Sequence, residues 1–406
     1  MYWLFIFCFY FFVFKDPIEH IIPAISYSDE LITLMAFPIF LIKLKRYHYK
    51  IRIGKWKIAY GRFVILFFIL GLFASVIYKF QDFVKIALPD SFLCIKFWLA
   101  IYVGKNIFEG LSLAYYGERI YRHIKIISCI YLILFVLDQL LHIFPTNLRY
   151  GMRSTQLMYS QPTAFVACNV FIIMVLLSIK DTVRGSMKWL LILLFLTCST
   201  LRSKAFGAVI AILMIYYFAF YRKKKVEIKT FIIFLPLIVA IAWDQIEYYF
   251  FSPIQSDSAR YQLLVKAIDI AKDFFPFGTG FGTYASYYSG AYYSPVYALY
   301  DLTNINGLRP ENTSFVSDSF WPMILGQTGV FGLASYCIAL ILLFMAIQKL
   351  RGVRLTYYAA ALSGFCYLLI SSMAESAFVH PIAVPIGVLI GVLINQKRIV
   401  YKKENE

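Results

Sequence analysis

Residues 329–347 read GVFGLASYCIALILLFMAI, an unbroken run without a single charge. As a helix it rises about 1.5 Å per residue and covers about 30 Å, the thickness of a bilayer's hydrocarbon core. Similar runs recur at about 1–14, 21–42, 63–79, 91–110, 124–144, 163–179, 187–201, 205–221, 230–247, 356–373 and 381–396. The bilayer interior offers no water to backbone N–H and C=O groups, so such runs must be helical. The composition agrees: 61% of the 406 residues are hydrophobic, only 15% are charged, and 19% are aromatic, which suits interfacial belts. The expected fold class is therefore all-α, a single polytopic membrane domain over 1–406 with about twelve transmembrane helices. The first run is short but lacks a basic n-region and a small-residue cleavage site, so it reads as a span and not as a signal peptide.

The net charge of +17 is not spread evenly. Lys43, Lys45, Arg46, Lys50, Arg52, Lys55, Lys57 and Arg62 crowd one loop, and Arg119, Arg122 and Lys125 another. Further groups lie at Lys180–Lys188, Arg222–Lys229, Lys349–Arg354 and Lys397–Lys403, in every second loop. The positive-inside rule assigns these loops and both termini to the cytoplasm. A nucleic-acid partner is excluded on the same ground, since it needs a basic soluble face or groove. The seven cysteines fall in or beside apolar runs and read as core residues. The five histidines are scattered without ligand spacing, so neither a metal nor another cofactor is expected.

One long loop, about 248–315, falls between the ninth and tenth spans on the outer side, and a loop of that length is usually functional. Ala259 to Phe275 is expected to be helical, with an apolar stripe of Leu264, Ala267, Ile268, Ala271 and Phe275. Lys266, Asp269 and Asp273 take the other face, and Arg260 sits near the N-terminus on the inward one. Phe275-Pro276-Phe277-Gly278 ends the helix. Gly278-Thr279-Gly280-Phe281-Gly282-Thr283 follows; it is a weak nucleotide motif, and its two readings are a surface turn or a backbone nest for a phosphate. The tyrosines from Tyr284 to Tyr300 suit an interfacial belt or a sugar-binding surface.

A charge at the centre of a membrane helix costs about 2.5–3.5 kcal/mol on insertion scales, so every polar group near span depth needs a partner or a watery cavity. Arg202 and Lys204 lie in a turn between two spans, on the outer side and against the positive-inside trend. Arg149 and Arg153 lie in another outer loop. Asp318 lies near the start of a stretch, Phe315 to Phe344, that is too long for one span and is expected to break at Gly326, Gly329 and Gly332 into a short helix and a true span. Capping of the short helix so formed is one reading of Asp318. Glu109, Asp138 and Asp244 read as bundle-facing polar contacts.

Three of these segments resemble the Wzy-type O-antigen and capsule polymerase group, allied to the O-antigen ligases: Arg202-Ser203-Lys204-Ala205-Phe206-Gly207; Arg260 through the Pro- and Gly-rich turn to Tyr284; and Ser317-Asp318-Ser319-Phe320 with Gly326 to Leu333. The resemblance covers about 145–345. It implies a bacterial inner-membrane glycosyltransferase that joins undecaprenyl-diphosphate-linked repeat units at the periplasmic face, without a metal and with inversion. Donor and acceptor are both lipid-linked glycans, and a flippase and a chain-length regulator would be its neighbours. Arg202 and Arg260 would meet the diphosphate, since the arginine fork binds phosphate oxygens bidentately at any working pH. Asp318 would serve the acceptor hydroxyl as base or positioner. Arg153, Lys204, Gly280, Gly282 and Tyr284 would assist in substrate binding. Ligases carry a His where Asp318 stands, which favours polymerase over ligase. A flippase or other transporter of lipid-linked sugars is the competing class; it would place charges along a midplane path and show pseudo-symmetric halves.

Overall fold

The computed structural model describes residues 1–46, 59–145, 148–223 and 258–403, with Glu247 alone between the last two. Nearly all of the expected ninth span, 230–247, lies outside the described residues, as do Asp244 and Lys50 to Lys57 of the first basic loop. Among the described residues the fold is all-α apart from one hairpin of two-residue strands, β1 (Leu148–Arg149) against β2 (Met152–Arg153). Among the described residues, 7 helical stretches are long and apolar enough to cross a membrane, and three shorter apolar helices accompany them.

The helices run α1 (Tyr2–Glu19), α2 (Ser28–Leu34), α3 (Ala36–Arg46), α4 (Ala59–Tyr78), α5 (Leu88–Ile107), α6 (Gly117–Leu141), α7 (Pro162–Ser178), α8 (Ser186–Cys198) and α9 (Ser203–Tyr216). After the undescribed stretch come α10 (Ala259–Asp273), the short α11 (Tyr287–Ala291) and α12 (Pro295–Leu299), then α13 (Phe320–Gln348), α14 (Leu355–Ser372) and α15 (Ala383–Lys403). Arg119, Arg122 and Lys125, expected in a loop, occupy the first turns of α6.

Loop contacts sort into two sets, one at each end of the bundle. At the basic end Lys43 bonds Asn106, Arg354 lies 3.9 Å from Asp181, and Gln396 donates to the Leu111 carbonyl at 2.5 Å. At the opposite end Ser160 meets Asp16 at 2.6 Å, Ser154 donates to the Thr200 carbonyl at 2.8 Å, and Ser376 donates to the Ser317 carbonyl at 2.7 Å. The basic loops thus cluster away from the Arg202 turn and the long loop.

Helix α7 is the axis of the packing: all but two of its residues are buried. The outer helices are apolar on both sides. Ile65, Ile69 and Val76 on α4, and Ile126, Ile133 and Leu140 on α6, stay exposed. A continuous exposed apolar face of this kind is what a lipid-facing helix carries and a water-facing one avoids. Small residues let α5 and α15 approach closely: a Cβ on Gly104 would stand 2.0 Å from the Val388 carbonyl oxygen, and one on Gly391 would stand 2.2 Å from that of Ile101. Without a hydrophobic drive between helices in lipid, such backbone contact supplies the dispersion energy that holds them.

Helix α13 breaks where the glycines predict it, at Gly329 (φ 63°, ψ −167°). The break frees the Gly326 and Gln327 carbonyls, which accept the Thr279 and Gly280 N–H groups at 3.0 and 2.8 Å. Only glycine fits at the crossing, because a Cβ on Gly329 would lie 2.3 Å from the Pro276 carbonyl oxygen. The long loop is therefore no surface flap. It is threaded into the bundle and stitched to a broken helix.

Two clusters of charge lie inside the helices. Lys96 on α5 reaches Asp29 at 2.6 Å and Glu30 at 3.0 Å, and Lys15 on α1 pairs with the same Asp29. The Lys96 and Asp29 side chains are each 1% exposed. Two cations matched to two carboxylates can stay charged where one alone could not. The second is Asp138, also buried, which holds Arg153 at 3.2 Å and accepts the Phe144 N–H at 2.9 Å. Asp138 is a bundle-facing contact as expected. Glu109 is not: it stands at a helix end, 55% exposed, with Lys43 at 4.0 Å.

Candidate functional site

The end opposite the basic loops gathers cations from separate elements. Arg202 forms the N-cap of α9, just after Leu201, which adopts the left-handed φ of 52°. A non-glycine residue held there costs about 1–3 kcal/mol and marks a turn fixed by its surroundings. Here the fixing comes from the hairpin side, where Thr155 N–H bonds the Ser199 carbonyl at 3.0 Å and Ser154 bonds Thr200. The same docking brings Arg149 of β1 within electrostatic range of Arg202. Burial first, then the Arg149 charge, pulls the Arg202 guanidinium below its ordinary pKa, while Glu375 opposes them. Among the described residues this guanidinium makes no ion pair and no hydrogen bond, and its Nε is buried.

Lys204, two residues further on, pairs with Glu375 and feels the charges of both Arg202 and Arg260. Arg260, in the first turn of α10, reaches Asp318 at 3.1 Å, with the two side chains 29% and 33% exposed. Asp318 does not cap α13: Ser319 is the N-cap residue, and no side chain bonds the cap. The segment after α14 closes the ring. Ser376 bonds the carbonyl of Ser317 beside Asp318, and Trp321 Nε1 donates to Ser372 at 3.2 Å. The structure thus brings Arg202, Lys204, Arg260 and Asp318 together, joined by Arg149 and Glu375. The four cations outnumber the two carboxylates, and among the described residues neither Arg202 nor Arg149 is held in an ion pair.

Other expected site residues stand apart. Arg153 turns away to Asp138 and donates from the same guanidinium nitrogen to the Phe144 carbonyl at 2.9 Å, which ties it to the α6–hairpin junction. The nest reading of Gly280 and Gly282 fails for a physical reason: its amides are already used. Gly280 N–H goes to Gln327, Phe281 N–H to Ser75 Oγ at 2.8 Å, and Gly282 N–H to the Asp90 carboxylate at 2.8 Å. Ser286 and Gln327 side chains bond Asp90 as well. The anion in the nest is the protein's own. Tyr284 is fully buried and donates to the Leu263 carbonyl at 2.7 Å, so it is a core residue and offers no face to a substrate. Tyr297 is likewise buried, whereas Tyr287 and Tyr292 remain exposed and keep the interfacial reading.

The buried face of α10 is rotated from the expected stripe. Leu263, Ala267, Ile270 and Ala271 are buried, while Leu264, Ile268 and Phe275 are exposed. In the sequence Arg149 reads only as an outer cation, and Glu375 is silent, because a lone carboxylate between two apolar runs carries no spacing signal. No family model matches the chain, and no match is found among curated proteins.

Proposed function

We propose that the chain is a lipid-linked oligosaccharide polymerase, an inverting glycosyltransferase that takes a glycan on undecaprenyl diphosphate as donor and a second lipid-linked repeat unit as acceptor. The observation that carries it is the cation cluster around an unpaired Arg202, built at the end of the bundle away from the basic loops. With the basic loops and termini in the cytoplasm of a bacterial inner membrane, twelve passes put that cluster at the periplasmic face, where such donors are presented.

A diphosphate leaves readily once its charge is met. Arg202 has no partner among the described residues to give up to phosphate oxygens, and Lys204 adds a point charge two residues along the chain. Asp318 holds the Arg260 guanidinium, so Arg260 enters the site pre-aimed and not as a free-swinging chain. Excess positive charge stabilises the transition state as the bond from the anomeric carbon to the diphosphate lengthens. The acceptor hydroxyl attacks the opposite face of the sugar, which inverts it.

Deleting the gene and sizing the glycan on a gel tests the reading. Loss of long chains with accumulation of single repeats supports a polymerase. Repeats that never reach the outer leaflet would point to a flippase, and unaltered long chains would refute the proposal.

A further inference from the structure

The proposed transfer needs an acceptor for a proton, and both carboxylates of the site are engaged with cations, Asp318 with Arg260 and Glu375 with Lys204. One histidine stands beside them. His380 lies between α14 and α15, its N–H bonded to the Ser376 carbonyl at 3.1 Å and its own carbonyl taken by Ala383 N–H at 3.0 Å. Ser376 is the residue that touches Ser317, so the turn carrying His380 is docked directly on the Asp318 segment. Phe378 fixes that turn, with its ring 5.2 Å from both Phe320 and Phe97. Among the described residues the imidazole makes no hydrogen bond. The residue is exposed to solvent.

Resting on the polymerase reading, we propose that His380 is the general base that takes the acceptor hydroxyl's proton. As the acceptor oxygen bonds the anomeric carbon, its proton passes to an imidazole nitrogen. The bond from that carbon to the diphosphate breaks, and its electron pair leaves with the diphosphate. The imidazolium then loses the proton to water. The charged groups that face His380 are Glu375 from its own segment, Lys204 from α9, Lys96 from α5 and Asp29 from α2. Protein packed around the ring first, and then Lys96 and Lys204, hold the imidazole below the ordinary histidine value of 6.5, against Glu375 and Asp29. The base form is therefore present at neutral pH and is lost only as pH falls through a value under 6.5.

The test uses cells whose own copy is replaced by the full-length chain, with polymer length and membrane protein level measured together. His380→Ala and His380→Gln should each cut polymer about 100-fold or more at normal protein level, the scale of a lost general base. Imidazole in the medium should restore part of the His380→Ala activity. Normal polymer from either variant overturns the proposal, and so does rescue by Gln, which would mark a merely structural role. If both variants fail to accumulate, the wild type decides: polymer formation unchanged between about pH 7.5 and about pH 5 outside the cell overturns it. Arg202→Ala in the same panel separates the two readings. Should it also make normal polymer, the polymerase reading fails; should it lose polymer while His380→Ala does not, only the role of His380 fails.

Discussion

Arg260 and Arg153 offer a paired experiment, because the structure gives two outer arginines with opposite consequences for stability. The Arg260–Asp318 pair leaves its side chains 29% and 33% exposed. A pair so hydrated is worth about 0.2–1 kcal/mol, because water and counterions replace most of the lost attraction. Arg153 instead faces a carboxylate that is 1% exposed. Removing it strands a buried charge, which costs roughly 3–5 kcal/mol. Arg260→Ala should thus leave membrane abundance and thermal midpoint nearly unchanged while abolishing polymer. Arg153→Ala should lower both, with polymer lost only in proportion to protein. Arg260→Lys should fail nearly as badly as Arg260→Ala, since Lys keeps the charge but not the planar fork. Abundance by immunoblot and melting by fluorescence-detected gel filtration, run beside the glycan gel, give all three readouts. A normal polymer ladder from Arg260→Ala would refute the reasoning, as would a protein loss larger than that of Arg153→Ala.

Three other perturbations follow from the same geometry. Arg202→Lys should sharply reduce polymer at constant protein level, because its fork has no partner to lose among the described residues; a wild-type ladder would remove Arg202 from the site. Asp90→Ala leaves the Gly282 N–H and two side-chain donors buried without an acceptor, at about 1–3 kcal/mol each, whereas Asp90→Asn keeps one acceptor; Ala should melt well below Asn, and equal midpoints would contradict the account of the loop. Gly391→Leu would drive a side chain into the α5 backbone and should cost more than about 3 kcal/mol, seen as loss of folded protein on gel filtration.

The alternation of basic loops is readable from the chain alone, and the two separate sets of loop contacts follow it. The break at Gly329 is equally legible, because three glycines in a long apolar run leave few other places to bend. The facing of the helices is not. Helix α7 is apolar all round, so its sequence has no moment to orient it, and only packing shows it to be the axis. On α10 the expected and observed stripes share Ala267 and Ala271, and a periodicity of 3.6 fixes a face only to within a residue. The groups of the site come from distant segments, Lys204 and Glu375 being 171 positions apart, and single-chain spacing cannot pair them. The Gly-rich turn misleads for a related reason. It has the backbone of an anion nest, but its anion, Asp90, lies 192 positions earlier in the sequence.

The stitched loop also sets an order of assembly. Residues 279–282 bond to Ser75 at the end of α4, to Asp90 in α5, and to the carbonyls that the bend in α13 releases. The first two partners leave the ribosome before the loop, and the third leaves after it. While α13 is still unmade, the Thr279 and Gly280 amides have only water to bond, and the loop must wait outside the bundle. Docking is then a late step, taken after the membrane helices on both sides have been inserted. A nascent chain stopped before Phe320 should be cut by protease near Gly280, and one released past Gln348 should not.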